Sequence, residues 1–577
     1  MPRAIPPRAR RTTLVTPGRR VLVLAAVAAL AIAACSPDGG GTAAPQADDE
    51  RNPRFEFHGP DNGALIAAHD LEDLRFAVSA TDEEALDDLE VLLDDTPVPD
   101  VERRDQQLVY TPGHLEDGER VVTVRLAPPD EPDTATEDAA EDATEGDVDA
   151  TEDDEGDGAE VLHEWRVTVD TVPPEVTMSS PDGAVVAGEP ATVAGTTEAD
   201  AAVTVGGVDV EVDADGSFSL DLDDAEPGTV TVVAVDPAGN ATEIDLEIVV
   251  VPSRATVDRI QAVHVSFYGW AAPSKRDPII EMIEDGLVNA VQLDLKDESG
   301  DIGYASEVPL AQEMGAARGI YDLEAAVAEL HAMGVPVIGR IVAFADPVLA
   351  NWAWENDARD WVVQTPDGEM YTGRYAGFSN LAHEDIHEYN IAVAEEAARL
   401  GVDHILWDYI RRPDGSLENM VIPGLTGTPE EAIVEFTRKA DERLARYGVE
   451  HGASVYGIAA TRPHEIGQDI PAMARHLDYV APMVYPSHWG PGEYDVADPN
   501  RQPYDIVNRS LQSFLDAIEG TGARVVPWLE DTRFRAWDRP FQVREQIRGA
   551  ADRGIDEWML WDPWVDYTPE ALDPIDP

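Results

Sequence analysis

The sequence predicts a multidomain protein in which two all-β sandwich modules precede a C-terminal (β/α)8 TIM barrel. Three observations predict this fold class. The length of 577 residues exceeds what one hydrophobic core normally supports. Short segments of alternating apolar and polar residues, separated by turn residues, fill residues 53–251 and are typical of antiparallel strands. From about Thr256 apolar strands alternate with amphipathic helices, which indicates a parallel sheet.

Residues 1–35 have the pattern of an export signal. Basic residues between positions 8 and 20 precede an apolar run from Val21 to Ala34, which suits a signal-peptide core but is short for a membrane-spanning helix. The end of this run, Ile32 to Cys35, resembles the bacterial lipobox, whose cysteine carries the lipid of the mature protein. We therefore expect an exported protein, anchored to the outer face of the cell membrane through lipid on Cys35.

The composition excludes one class of partner. The chain has 114 acidic and 41 basic residues, so its net charge of −73 would repel the phosphates of nucleic acid. Cys35 is the only cysteine, which excludes an intramolecular disulfide. Apart from a short motif at His383, no metal-ligand pattern or phosphate-binding glycine loop stands out, and we expect no cofactor.

The β-rich region divides into two modules that follow a linker. Residues 36–52 are rich in Gly, Ala, Pro and acidic residues and are expected to be flexible. The first module spans 53–171, and its stretch at 130–160 is too acidic to bury a core, so we expect a disordered insertion before a strand resumes at His163. The second module spans 172–251, and its turns resemble those of bacterial immunoglobulin-like repeats. The resemblance implies immunoglobulin-like modules, and we interpret both modules as spacers, because no aromatic or charged cluster converges in either.

Residues 256–577 contain eight candidate strands separated by amphipathic helices. We expect these strands at residues 262–270, 290–296, 335–344, 404–410, 453–459, 479–485, 524–529 and 557–561. Helix starts are predicted at Asp277, with Pro278 in the first turn, and at a capping box on Thr428. The loops after the second, third, fourth and sixth strands are long and aromatic, whereas the helix-to-strand loops are short. This asymmetry indicates that the carboxyl end of the barrel is the working face.

Several predicted strand ends share motifs with one bacterial protein family. The matching segments are NAVQLDLKD at 289–297, VIGRIVAF at 337–344, WDYIRRP at 407–413, PMVYPSH at 482–488 and PWLED at 527–531. On these motifs, residues 263–567 resemble a family of bacterial glycoside hydrolase barrels that was first described only as a domain of unknown function. The resemblance implies the barrel and an activity on glycosidic bonds. Two positions depart from the expected family pattern, since Glu530 replaces a glutamine and Arg412 replaces an aromatic residue.

Carboxylates at the predicted strand ends supply the groups that glycoside hydrolysis needs. The reaction generally uses two carboxyl groups, one protonated to help the leaving oxygen depart and one ionised as nucleophile or base. Asp408, at the end of the fourth strand, is the first catalytic candidate. Glu530 or Asp531, from the opposite side of the barrel, would face Asp408 across a sugar. Asp294 is a third candidate, which would orient the substrate or share a proton.

Other polar and aromatic residues near the strand ends are candidate substrate contacts. Tryptophan and tyrosine rings offer apolar faces and polar edges that suit sugars, although aromatic residues in long loops also pack simply to order them. The basic residues equally suit ion pairs with the acids, in which case both groups only order the barrel mouth. The predicted substrate-binding residues are Tyr268, Lys296, Asp297, Arg340, Tyr409, Arg411, Tyr485, His488, Trp489, Trp528, Asp531 and Trp561.

A competing motif lies at His383 to His387, where HEDIH matches the H-E-x-x-H pattern of zinc metallopeptidases. A zinc site needs a third protein ligand. No Gly-x-x-His follows the motif, and Leu406, about where a glutamate ligand would stand, is apolar. We therefore keep a zinc peptidase only as a remote alternative and assign no metal ligand.

The leading hypothesis is a glycoside hydrolase that cleaves a cell-envelope or extracellular polysaccharide by two-carboxylate acid and base chemistry. The main alternative is a noncatalytic carbohydrate-binding barrel on the cell surface, which would keep the aromatic loops without a pair of acids at glycosidase separation. That separation, about 5 to 10 Å within one cleft, distinguishes the two hypotheses. In both, the expected partners are a saccharide and, through the lipid, the membrane.

Overall fold

The computed structural model describes residues 54–127, 160–181, 183–223, 225–533 and 538–575. The predicted signal segment with Cys35 and the linker 36–52 lie outside the described residues, as does the predicted acidic insertion at 130–160 apart from Glu160. Among the described residues, no helix has both the length and the apolar character needed to cross a bilayer.

Residues 54–171 form two sheets that share one core. The strands are β1 Phe55–His58, β2 Ala64–Ile66, β3 Phe76–Ala80, β4 Leu89–Leu93, β5 Thr96–Pro97, β6 Val101–Arg104, β7 Gln107–Tyr110, β8 Gly118–Leu126 and β9 Val161–Val169. One sheet has the order β1-β3-β7-β6 and the other β2-β9-β8-β4-β5. Alternate residues of both sheets, such as Phe76 and Trp165, are buried in the same cluster, as the period-2 pattern requires. The strand predicted at His163 is part of β9.

Residues 172–251 form a second set of sheets. The strands are β10 Thr177–Ser180, β11 Val185–Val186, β12 Ala191–Thr196, β13 Ala202–Val205, β14 Val208–Val210, β15 Ser217–Leu222, β16 Gly228–Val235, β17 Ala241–Ile248 and β18 Val250–Val251. The antiparallel sheets have the orders β10-β12-β15 and β14-β13-β16-β17, and β11 pairs in parallel with β18. Several antiparallel sheets thus precede the barrel, as predicted, while the immunoglobulin-like identity of the modules stays a prediction.

The parallel strands of the C-terminal region close into a barrel. They are β19 Gln261–Val265, β20 Ala290–Lys296, β21 Val337–Val342, β22 His404–Asp408, β23 Glu450–Tyr456, β24 Tyr479–Met483, β25 Arg524–Val525, β26 Trp528–Glu530 and β27 Trp558–Trp561. β25 and β26 are two parts of the seventh strand, separated by Val526 and Pro527, and both pair with β24. The pairings β23 with β24 and β19 with β27 close the sheet. The predicted parallel barrel is therefore confirmed.

Helices cover the outside of the barrel. They are α1 Phe267–Ala271, α2 Pro273–Glu284, α3 Pro309–Met314, α4 Leu323–His331, α5 Pro347–Glu355, α6 Glu384–Arg399, α7 Pro429–Leu444, α8 Ile470–Met473, α9 Pro503–Ile518 and α10 Arg539–Ala551. The capping box predicted at Thr428 is confirmed. The helix start predicted at Asp277 is wrong, because α2 already begins at Pro273 and contains Pro278. Both prolines suit a first helical turn, and the chain uses the earlier one.

The first barrel strand is shorter than predicted. It ends at Val265, and Ser266 caps α1 by accepting a hydrogen bond from Gly269 N. The aromatic residues after Ser266 have high strand propensity, which made a strand through Trp270 the sequence-based expectation. The cap overrides this propensity and turns the segment into a helix on the rim of the barrel.

The second module is joined to the barrel by a packed segment. β18 pairs with β11 of the module, while Val249 and Val251 are buried in the main cluster of the barrel. Pro252 packs against Gly401, whose φ of 94° marks the end of α6. Arg254 donates hydrogen bonds to three backbone carbonyls, those of Ala398, Val402 and Tyr447. These carbonyls precede β22 and β23, so the module contacts the amino end of the barrel.

Candidate active site

A cleft of about 610 Å³ opens at the carboxyl end of the barrel. Active sites of this fold lie at the same end, because the loops that follow the strands meet there. Residues near the carboxyl end of each barrel strand line the cleft, and they are His264, Asp294, Arg340, Asp408, Tyr456, Met483, Trp528 and Trp561.

A larger recess, of about 820 Å³, lies outside the barrel against α4 and α6. The carboxylate of Glu396 in its wall already accepts hydrogen bonds from Tyr304 Oη at 2.8 Å, Ser306 Oγ at 2.6 Å and Glu307 N at 2.5 Å. These bonds tie a loop to α6, so the carboxylate of Glu396 is already used in contacts within the protein. The barrel cleft, with its converging charged and aromatic residues, is therefore the candidate active site.

Arg340 joins three carboxylates at the floor of the cleft. Its Nε donates to Asp408 Oδ2 at 2.7 Å, and its Nη1 donates to Asp294 Oδ1 at 2.9 Å. Nη2 lies 3.4 Å from Glu298 Oε2, and His264 Nε2 lies 3.1 Å from Asp294 Oδ2. Because both aspartates contact nitrogens of one planar guanidinium, their bonded oxygens are no more than about 8 Å apart. The ion pairing anticipated for these acids is present, and the paired acids also face the cleft.

A β-bulge decides which basic residue reaches the cleft. Asp294 and Arg340 are register partners in β20 and β21, and both point to the barrel axis. The register shifts by one residue after Asp294, so Lys296 points outward. There Lys296 is fully buried, with Nζ 2.7 Å from Asp346 Oδ2 and 2.9 Å from Asn390 Oδ1. The prediction that Lys296 contacts substrate is therefore wrong.

Two aspartates near the end of β20 differ in their readiness to ionise. Burial alone raises the pKa of Asp294, but the nearby Arg340 and His264 outweigh burial and hold this pKa well below its usual range. Burial raises the pKa of Asp297 to about 6, although hydrogen bonds from Ser299 N and Oγ act in the opposite direction. Two carboxyl groups with pKa values pushed apart are the arrangement that acid and base catalysis requires.

Arg411 occupies the centre of an aromatic cluster in the cleft wall. Its guanidinium carbon lies 4.7 Å from the ring centroid of Tyr456 and 4.9 Å from that of Tyr409. Its Nη1 also donates to Asp414 Oδ1 at 3.1 Å. Tyr409 adopts a φ of 46°, and its backbone N donates to Asp408 Oδ1 at 2.7 Å. This left-handed turn, unusual for an aromatic residue, brings Asp408 and Arg411 to the same cleft.

A second wall of the cleft is aromatic. Tyr485 and Trp561 stack with ring centroids 5.4 Å apart and ring planes at 24°. His488 meets Tyr485 edge to face at 5.1 Å. Trp528 is fixed by a hydrogen bond from its Nε1 to Ser454 Oγ at 2.9 Å. The predicted substrate contacts that line the cleft are Asp297, Arg340, Tyr409, Arg411, Tyr485, His488, Trp489, Trp528 and Trp561.

Two predicted residues at the end of β26 do not line the cleft. Glu530 points inward, but its oxygens accept hydrogen bonds from Ser487 N at 3.0 Å and from Thr532 Oγ1 at 2.6 Å. Asp531 points outward, because side chains alternate along a strand, and it accepts from Thr568 N at 2.7 Å. These contacts correct both predictions. Glu530 holds the loop after β24, and Asp531 holds the C-terminal segment.

Tyr268 lies on the rim of the cleft. It projects from α1 and is 59% exposed, whereas its neighbour Phe267 is buried. Tyr268 is not among the residues that line the cleft, so its predicted contact with a substrate stays a prediction.

Sequence reasoning missed several residues that complete the cleft. His264 follows Ala262 on the inward face of β19, so strand alternation alone provides a signal for it. Glu298 and Arg374 belong to loops, which carry no periodic signal. The lining residues that were not predicted as contacts are His264, Ser266, Glu298, Arg374, Tyr375, Tyr456, Gly457, Ile458, Met483 and Pro563.

The HEDIH motif has structural contacts at both histidines. His383 caps α6, and its Nδ1 accepts from Asp385 N at 3.2 Å. His387 is buried, its Nε2 donates to the carbonyl of Leu381 at 2.8 Å, and burial lowers its pKa. Glu384 is paired with Lys439. These contacts give the residues of the motif a structural role, because they begin α6 and hold its first turns in place.

Comparison with solved structures finds partial likenesses. A hypothetical protein from Ruminiclostridium thermocellum is 28% identical over 33% of this chain and 96% of its own, with a TM-score of 0.30. The PgaB (BpsB) glycoside hydrolase domain from Bordetella bronchiseptica is 17% identical over 53% of this chain and 95% of its own, with a TM-score of 0.39. Catalytic domain 2 of the Ostrinia furnacalis Group II chitinase is 11% identical over 54% of this chain and 94% of its own, with a TM-score of 0.34.

Comparison with known sequences finds a matching family but no matching individual protein among the curated ones. No curated protein matches the chain significantly. One family model covers residues 262–567, which contain the whole cleft and more than half of the chain. The chain therefore belongs to the family described as "Putative glycosyl hydrolase domain".

Proposed function

We propose that the barrel hydrolyses a glycosidic bond of a cell-envelope or extracellular polysaccharide. One observation carries the proposal, namely that two kinds of carboxyl group share one cleft. Asp294 and Asp408 are ion-paired with Arg340, while burial raises the pKa of Asp297 to about 6. Hydrolysis with two carboxyl groups needs both a proton donor and an anion at the scissile bond. Membership of the glycosyl hydrolase family supports the same reaction class.

Asp297 is the proposed proton donor and Asp408 the proposed anion. Asp297 gives its proton to the glycosidic oxygen as the C–O bond breaks, and Asp408 acts at the sugar carbon, directly or through the attacking water. Asp297 follows β20, and Asp408 ends β22, with β21 between them. Strands two apart are separated by about 10 Å, and side chains that lean toward a shared ring come closer. We therefore expect the two carboxyl groups to lie within the about 5 to 10 Å of glycosidase carboxyl pairs.

Asp294 is the proposed positioning residue. It accepts from Arg340 and from His264, and the same guanidinium holds Asp408. Because the pKa of Asp294 is held well below its usual range, this residue stays charged across the working pH and keeps Arg340 oriented. The stacked rings of Tyr485 and Trp561 supply the apolar faces against which a sugar ring packs.

The test is a screen of the purified protein against soluble polysaccharides of different linkage and charge, with release of reducing ends as the measurement. We expect at least one polymer to be cleaved, and Asp408→Asn to abolish its cleavage. A polymer that binds tightly to the parent protein but is never cleaved would instead favour the noncatalytic sugar-binding barrel. Binding and cleavage are therefore measured on the same set of polymers.

We also propose that the cleft is displayed outside the cell by lipid on Cys35. The support is the lipobox-like end of the signal segment and the spacer-like modules that precede the barrel. Cys35→Ser should move the protein from the membrane fraction to the soluble fraction of expressing cells. A variant that stays with the membrane after washing with salt and alkali would contradict lipid anchoring.

A further inference from the structure

Two large aromatic side chains are exposed on the rim of the cleft, outside the residues that line it. Tyr268 in α1 is 59% exposed, and Trp564 after β27 is 50% exposed. β19 and β27 are hydrogen-bonded neighbours, so the segments that follow them meet on one part of the rim. Single exposed aromatic residues need no explanation, but a pair beside a cleft indicates a binding surface.

The turn that carries Trp564 is held in an unfavourable backbone conformation. Val565 has a φ of 52°, which is a genuine outlier for a β-branched residue. Asp562 Oδ1 fixes the turn by accepting hydrogen bonds from Trp564 N at 2.9 Å and from Asp566 N at 3.1 Å. Val565 is buried, while the adjacent Trp564 is half exposed. Strain that the surroundings maintain in this way is a common mark of a functional segment.

α1 is fitted against this turn at Gly269. A Cβ atom at Gly269 would lie only 2.9 Å from Val565 Cγ2, so the close approach requires glycine. Tyr268 directly precedes Gly269, and Trp564 directly precedes Val565. The contact therefore brings the two backbone segments that carry the exposed rings together on the rim.

This rim surface is continuous with the cleft. Ser266, two residues before Tyr268, lines the cleft, as does Pro563, directly before Trp564. A saccharide chain that fills the cleft and extends past this edge would meet both rings. Tyrosine and tryptophan each combine an apolar face with a polar edge, which suits the C–H faces and hydroxyl edges of sugar rings.

We propose that Tyr268 and Trp564 form an outer subsite for the part of a polysaccharide that extends beyond the reacting bond. The inference rests on the proposed function and narrows its substrate class to long chains. Binding energy from units remote from the reacting bond is available only to a chain that spans both the cleft and the rim. The protein should therefore prefer polymers to disaccharides of the same linkage.

The first test compares chain lengths in the full-length double variant Tyr268→Ala/Trp564→Ala. For a polymer that the parent cleaves and the disaccharide of the same linkage, kcat/KM is measured. We expect the ratio of the polymer value to the disaccharide value to fall about tenfold, mainly through KM for the polymer. Tyr268→Phe/Trp564→Phe, which keeps the ring faces, should restore the ratio to within about twofold of the parent. Val208→Ala, which truncates an exposed side chain of the second module, is the control for surface substitution.

The second test measures binding and does not depend on turnover. Retardation of the parent and of the double variant is compared in native gels that contain laminarin, glycol chitosan, dextran or polygalacturonate. We expect at least one polymer to retard the parent more than the double variant. That difference without any cleavage would support the outer subsite while contradicting the proposed hydrolysis.

Several outcomes would overturn the outer subsite. An unchanged ratio together with unchanged retardation would do so, as would equal losses on polymer and disaccharide. If no polymer retarded the parent protein and the parent cleaved none of them, both the outer subsite and the proposed hydrolysis would be overturned. A dimer of the parent that the double variant lacks, measured by light scattering, would assign the surface to contacts between copies of the chain instead.

Discussion

Arg340 and Lys296 are buried cations on adjacent barrel strands, and they lie on opposite sides of the barrel wall. Each contacts at least one aspartate, since Arg340 pairs with Asp294 and Asp408 and Lys296 pairs with Asp346. Arg340 faces the axis and borders the cleft, whereas Lys296 faces the helices and is fully buried. The difference indicates that the side of the barrel wall to which a basic residue points, rather than its type, decides whether it borders the cleft or packs among the helices.

The two ion-pair groups also differ in what remains available. The Lys296 ammonium is surrounded by Asp346, by Asn390 Oδ1 and by the ring of Tyr389 at 4.8 Å, and the side chain is fully buried. The acids around Arg340 keep contact with the cleft. A closed group of this kind contributes to folding, while an open one is able to meet a substrate.

Removing charge on the axis side should have the largest effect on activity. Asp408→Asn keeps the shape of the side chain and an acceptor for Arg340 Nε, but it removes the anion from the reacting centre. We expect kcat to fall on the order of 10³-fold or more, with little change in saccharide binding. Steady-state kinetics, a binding measurement and the melting temperature check this prediction.

The contrasting result would place Asp408 with the supporting residues. If its only role were to pair with Arg340, the variant would melt at a clearly lower temperature and its folded fraction would turn over at the parent rate. A stable Asp408→Asn variant with parent-like turnover would end the catalytic assignment.

Removing charge on the helix side should affect folding instead. Lys296→Met keeps much of the side-chain volume but leaves Asp346 buried without its cation, so we expect a loss of about 3–5 kcal/mol in the free energy of unfolding. Denaturant titration measures this loss, and the folded variant should keep the parent kcat. The matched control is Lys439→Met, whose partner Glu384 is largely exposed, and its effect should stay below about 1 kcal/mol. Loss of turnover in a folded Lys296→Met protein would contradict the division of roles.

The proton donor adds a pH test of the axis side. Asp297 must be protonated to act, and its pKa is about 6, so kcat/KM of the parent should fall as pH rises through about 6. Asp297→Asn should lower kcat/KM about 100-fold below that pH and remove the descending limb. If kcat/KM of the variant still fell as pH rises through about 6, the titration would belong to another group. Asp357→Asn, an exposed position with a φ of 62° that asparagine also tolerates, is the control.

The same raised pKa has a consequence for stability. The protonated form of Asp297 is favoured by folding, so its contribution is complete below the ordinary pKa of about 4 and is lost as pH rises through about 6. Asp297→Asn should therefore raise the melting temperature at pH 8 relative to the parent, and this gain should disappear near pH 4.

The smallest effect is expected at Glu530, which faces inward but supports a loop. In Glu530→Gln, the amide oxygen still accepts from Ser487 N, and the amide nitrogen can donate to Thr532 Oγ1. We expect kcat/KM within about threefold of the parent for this variant, and a KM about tenfold higher for Glu530→Ala, in which the loop that carries His488 loses its anchor. A loss in Glu530→Gln as large as that in Asp408→Asn would restore Glu530 as a catalytic carboxylate.

The sequence was sufficient to predict site residues where strand periodicity and a residue type that the chemistry requires occur at the same position. The apolar run of β20 and the acid at the end of β22 identified Asp294 and Asp408 as residues at the barrel mouth, because inward positions alternate along each strand. The barrel itself followed from strands that alternate with helices. The same alternation would have found His264.

The sequence was insufficient where a local irregularity changes the direction of a side chain or where a contact forms only in the folded barrel. The bulge after Asp294 leaves no trace in residue type, yet it turns Lys296 away from the cleft. The contact of Glu530 with Ser487 joins loops from different strands, and such pairs depend on the closed barrel. The raised pKa of Asp297 likewise comes from burial, which only the assembled cleft creates.

The packed segment from Val249 to Arg254 also determines how a bulky polymer approaches the protein. It fastens the second module to the amino end of the barrel, whereas the cleft opens at the carboxyl end. We therefore expect a long or branched chain to reach the cleft without displacing this module. The same segment means that a chain truncated at Thr256 would lose two valines of the main hydrophobic cluster around the barrel. A barrel meant to fold alone must begin upstream of Val249.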